Sequence, residues 1–86
     1  MGNVIKCDVH DYFEHVCVLR LAVMLRLNNG VNVSGVATDI KMLEGEECLL
    51  IENDQRIMSY PLNNISELEF VQHGTNKKVV VNYVDS

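Results

Sequence analysis

The residues of this 86-residue chain best suited to metal or nucleophilic chemistry are its three cysteines and three histidines. Cys7, His10, His15 and Cys17 crowd one short segment, and Cys7 and His10, three apart, would share one side of a helix. No CxxC or HxxxH pair accompanies them, and zinc sites are assembled from such pairs. A cysteine nucleophile would need a histidine base and an orienting carboxylate; no local signature joins the three, and Cys48 opens the apolar run Cys48-Leu49-Leu50-Ile51. Gly30, Gly35, Gly45 and Gly74 occupy turn, bulge or loop positions rather than a phosphate cradle. No metal, cofactor or catalytic residue is expected. Two acidic groups remain: Asp8, Asp11 and Glu14 at a spacing of three, and Glu44, Glu46 and Glu47, followed by Glu52 and Asp54. Such single-sign clusters steer a basic partner, or are simply a solvated charged face.

The first group requires a helix. From residue 8 to residue 17 the period is helical, with Val9, Tyr12, Phe13, Val16 and Cys17 on one side and Asp8, Asp11, Glu14 and His15 on the other. Asp8 reads as its N-cap and Asp11 as a first-turn acid facing the positive end of the helix dipole. After Cys17 the period becomes two: Leu19, Leu21, Val23, Leu25 and Leu27 point one way along a long strand. Asn28-Asn29-Gly30 turns that strand into Val31–Ser34, and Ser34-Gly35 suggests a bulge or bend. Residues 41–47 read as a charged loop and residues 73–77 as another. Residues 48–51, 56–61, 67–71 and 78–83 read as further strands. One helix and six short strands, with no βαβ spacing, predict a small antiparallel β-barrel whose open end or edge the helix covers.

Composition narrows the function. A chain of this length holds one core and buries only about 60–65% of the surface exposed when unfolded, which leaves little for a deep substrate cleft. Seven basic against twelve acidic residues give a net charge of −5, the wrong sign for condensing onto phosphates and the right one for a basic protein. No stretch nears 18 uninterrupted apolar residues and the N-terminus lacks an apolar signal core, so a cytoplasmic protein with free thiols is expected, without membrane contact.

The run Cys7-Asp8-x-x-Asp11-x-x-Glu14-x-x-Cys17, followed by an apolar strand, the Asn29-Gly30 hairpin, Ala37-Thr38-Asp39-Ile40 and a Lys78-Val79-Val80-Val81 ending, resembles the Rof (YaeO) family of Rho-specific transcription antiterminators. The resemblance spans nearly the whole chain, read as a single domain over residues 1–86 with its helix at about 8–17 and its barrel at about 18–84. It implies a bacterial, non-enzymatic protein with an Sm-like barrel. Such a protein binds the hexameric factor Rho, keeps RNA off Rho's primary RNA-binding region and inhibits termination. Asp8, Asp11 and Glu14 match the family's acidic helix positions; Tyr12 and His15 are added from geometry alone. Glu44, Glu46 and Glu47 form a secondary contact, suggested by charge in a loop that departs from the family. A free monomer without direct nucleic-acid binding is the expectation. An Sm-like RNA-binding module and a ring-forming subunit are the alternatives. Against the first, nothing between Ile57 and Leu68 supplies the Arg-Gly or Lys-His element that holds a base and phosphate.

Overall fold

The computed structural model describes residues 2–81, with side chains from residue 10 onward. Helix α1 (Gly2–Val18) is followed by β1 (Ala22–Leu27), β2 (Asn32–Leu43), β3 (Glu46–Asn53), β4 (Arg56–Pro61), a 3-10 turn (Leu62–Asn64), β5 (Ile65–Gln72) and β6 (Thr75–Val80). All neighbours in the sheet are antiparallel, in the order β4-β3-β2-β1-β5-β6. The mostly-β class, the six strands and the N-terminal helix agree with expectation. Among the described residues the sheet does not close, because β4 and β6 are its edges and do not pair with each other, so barrel describes it only loosely.

The helix begins at Gly2, six residues before the expected start. Asp8 is therefore not its N-cap and Asp11 is not in its first turn, which holds no acidic residue. The dipole gives these acids no structural explanation, since its effect fades beyond the terminal turn. The side chain of Asp8, like that of Cys7, lies outside the described residues.

The helix ends in a Schellman arrangement. Arg20 N–H donates to the Cys17 carbonyl (3.2 Å) and Leu21 N–H to that of Val16 (3.0 Å), with Arg20 at φ 52°, a conformation usually left to glycine. This corrects the expected strand 19–27: Leu19 and Arg20 belong to the helix-ending turn, Leu19 is exposed, and pairing starts at Ala22.

From Ala22 on, period two holds. Val23 and Leu25 are buried, and each is matched across the strands, Val23 to Gly35 and Phe70, Leu25 to Val33 and Leu68. One face of the sheet thus gathers Val23, Leu25, Ala37, Leu49, Ile51, Leu68 and Phe70, and Phe13 and Val16 of α1 complete that core. The register past Gly35 is regular on the β1 side; the shift falls between Ala37 and Asp39, against β3. What Gly35 provides is closeness, since a Cβ there would stand 2.5 Å from Ile51 Cγ2 and 2.7 Å from the Glu52 carbonyl oxygen.

Two expected loops are hairpins. In residues 41–47 only Glu44 (φ 51°) and Gly45 (φ 81°) form the turn, with Leu43 paired to Glu46 on either side. In residues 73–77 only His73 (φ 53°) and Gly74 (φ 75°) do, and Gln72 pairs with Thr75. Successive positive φ values make both the two-residue type that suits the strand twist. β6 accordingly starts at Thr75, three residues before the expected strand, whose residues 82 and 83 lie outside the described range.

Candidate functional site: the outer side of the helix

Phe13 and Val16, 1% and 0% exposed, anchor α1 to the sheet, which leaves Asp11 and Glu14 exposed on the opposite side. Between these sides stand Tyr12 and His15. Their rings tilt against the buried Phe70 of β5, with centroids 6.2 Å and 6.1 Å away. Tyr12 remains 39% exposed, so it belongs to the margin of the acidic face rather than to the core side where the helical period alone would also put it.

The secondary acidic group divides. Adjacent strand residues point to opposite faces, and Glu47 is the one that turns toward the helix. His10 joins the two groups: its Nε2 lies 3.3 and 3.4 Å from the Glu47 carboxylate oxygens and its Nδ1 3.5 Å from Glu14 Oε2. A neutral imidazole can donate to one of these carboxylates and a protonated one to both. Glu46 neighbours Leu43, Cys48 and Ser59 along another hollow, together with the turn residue Glu44. Glu47 therefore lies with Asp11, Tyr12, Glu14 and His15 around one helix, whereas among the described residues no ion pair or hydrogen bond joins the Glu44 or Glu46 side chain to it. His10 was absent from the expected site, although its i, i+4 spacing to Glu14 was a usable signal.

The metal candidates do not converge. His10 faces Glu47 of β3, His15 faces Phe70 of β5, and among the described residues no group of three or more His, Cys, Asp or Glu could hold an ion. Cys17 is half-buried, and burial, then the charges of Asp39 and Glu14, pushes its thiol up to about 11. Cys17 is therefore an un-ionised thiol at neutral pH, and Cys48 is a free cysteine buried in β3.

On the other flank of α1, Asp11, Tyr12 and His15 border a concavity of about 550 Å³ whose far wall is Gln72 and Lys77. Neither of the last two was among the expected site residues. Among the described residues no helix is long and apolar enough to cross a membrane.

The structure is similar to that of YaeO from Vibrio cholerae O395 in its magnesium-bound form, with a TM-score of 0.67, 24% identity, and coverage of 72% of this chain and 82% of that one. That likeness speaks for the fold. No curated protein matches the sequence. The family model described as modulator of Rho-dependent transcription termination (ROF) matches residues 4–81, nearly the whole chain, covering α1 from its third residue and all six strands described above. The chain belongs to the ROF family, described as modulators of Rho-dependent transcription termination.

Proposed function

We propose that the protein inhibits Rho-dependent termination by laying the acidic side of α1 on Rho's primary RNA-binding region, where it takes the place of RNA. The observation that carries this reading is the pair of exposed carboxylates, Asp11 and Glu14, on the outer side of a helix whose inner side is locked by Phe13 and Val16. Side chains fixed on a rigid element present charge at low entropic cost, and a surface that binds RNA carries the Arg and Lys residues such charge attracts. Asp8 belongs to the same acidic series in sequence, and Glu47 adds a carboxylate from β3 beside His10. Tyr12 and His15 flank the contact, while Glu44 and Glu46 are peripheral to it. The mimicry is of charge, not of nucleotide shape, and its place of action is the cytoplasm, where nascent RNA meets Rho. The free protein acts as a monomer against the hexamer.

Reversing both acids, Asp11→Lys with Glu14→Lys, is expected to weaken binding to purified Rho about a hundredfold, from two charge reversals of roughly 1–2 kcal/mol each. It should restore termination in a reconstituted transcription assay with an unchanged circular dichroism spectrum. Full inhibition by the folded double variant would refute the acidic-helix mechanism. Competing RNA should displace the wild-type protein from Rho, and binding should weaken as salt rises. Retention of single-stranded RNA without Rho would instead favour an RNA-binding module.

A further inference from the structure

The groove between α1 and the β5–β6 hairpin carries a charge pattern that negative charge alone does not explain. Register sets its sheet wall. Phe70 and Lys77 are cross-strand partners, so Lys77 stands on the face of the sheet that buries Phe70, and Gln72, two residues along β5, joins them. The helix wall consists of Asp11 and His15, one turn apart, with the half-exposed Tyr12 ring beside them. Lys78, facing the other way, is held 3.5 Å from Glu67. Lys77 and Asp11 are both exposed, and among the described residues neither side chain has an ion-pair or hydrogen-bond partner. Two opposite charges thus border one open groove without neutralising each other.

Resting on the reading that Rho docks on α1, we infer that this groove receives a polypeptide segment of Rho carrying a cationic and an anionic side chain close together. The cation meets the Asp11 carboxylate and the face of Tyr12, where a guanidinium gains a cation–π contact as well as an ion pair. The anion meets the Lys77 ammonium, and the Gln72 amide, both donor and acceptor, serves the segment's backbone. The charged groups of a nucleic acid are all anions, which match Lys77 but gain nothing from the Asp11 carboxylate. A purely basic patch would set like charge against Lys77. Only a chain bearing both signs satisfies both walls, so the groove selects protein over RNA and adds register to an otherwise diffuse attraction.

Lys77→Glu separates this from simple charge mimicry, because it makes the protein two charges more negative. If negative charge alone drives binding, the variant binds Rho more tightly; if the groove is used as inferred, it binds roughly five- to twentyfold more weakly, as expected for one partly desolvated pair. Lys77→Arg should retain wild-type binding. The measurement is titration of purified Rho into the fluorescently labelled full chain, with circular dichroism confirming the fold of each variant. Unchanged or tighter binding by Lys77→Glu overturns the groove proposal while leaving the acidic face standing. Undiminished binding by the Asp11→Lys, Glu14→Lys variant overturns the acidic face itself. A single-stranded RNA oligonucleotide retained by the wild type and lost by Lys77→Glu would assign the groove to RNA and overturn the inference.

Discussion

The β2–β3 and β5–β6 hairpins close on the same backbone device and offer opposite charges to the two flanks of one helix. Each turns on two residues of positive φ, Glu44-Gly45 and His73-Gly74, and each sends one charged side chain back toward α1. From the first, Glu47 reaches His10; from the second, Lys77 lines the groove with Asp11, Tyr12 and His15. Backbone chemistry is shared and function is not. The turn requires only residues that tolerate a left-handed conformation, whereas the sign of charge is decided by side chains that the turn does not constrain.

That comparison depends first on the helix being pinned between the hairpins. Phe13→Ala, which empties the most voluminous fully buried position, should cost about 3–5 kcal/mol in urea denaturation and abolish Rho binding by releasing both flanks together. Gly35→Ala should cost about 1–3 kcal/mol, because the new methyl meets Ile51 and the Glu52 carbonyl; this disturbs the platform on the β2–β3 side and would break the equivalence of the two hairpins. The shared turn device is tested by Gly45→Ala and Gly74→Ala. With φ of 81° and 75° and open space around both positions, each should lose about 1 kcal/mol, and nearly the same amount, in thermal unfolding. Unequal losses would show that the turns differ in more than charge.

The smallest effect concerns the acidic flank. Cys17 has its thiol raised to about 11 by burial first and by Asp39 and Glu14 second. An unfolded chain releases this proton near 9.0, so the group favours the folded state below that pH, and the contribution is lost as pH rises from 9.0 toward 11. Alkylation of Cys17 at pH 8 should be about a hundredfold slower than that of an unhindered thiol, and Glu14→Gln should speed it only about twofold, since desolvation dominates. A larger gain would mean that charge from this flank outweighs burial.

Much of the sheet was legible. Alternation at Val23 and Leu25 identified the buried face of β1, Asn28-Asn29-Gly30 marked the first turn, and β4 spans the expected residues 56–61. The two missed hairpins share a cause. Charged residues at 41–47 and 73–77 imitate loop composition, while strand pairing there depends on a partner across the turn, which local composition does not contain. The helix start was missed because Asp8 is one of several N-cap residue types near the N-terminus, Gly2 and Asn3 among them, and residue type alone does not decide between them.

By itself the sequence determined the class of the protein: a short chain with one core, a helical period then an alternating one, and a surplus of acids that disfavours phosphate. Those properties are local or additive, and they survive whatever the chain packs against. Which acids share a surface was decided only by tertiary structure. Antiparallel register turns Glu47 toward His10 across 37 residues and leaves Glu46 on the other face. The pairing of Phe70 with Lys77 likewise sets a cation opposite Asp11. A shift of one residue in either ladder would exchange those side chains for their neighbours, because successive strand residues face opposite ways.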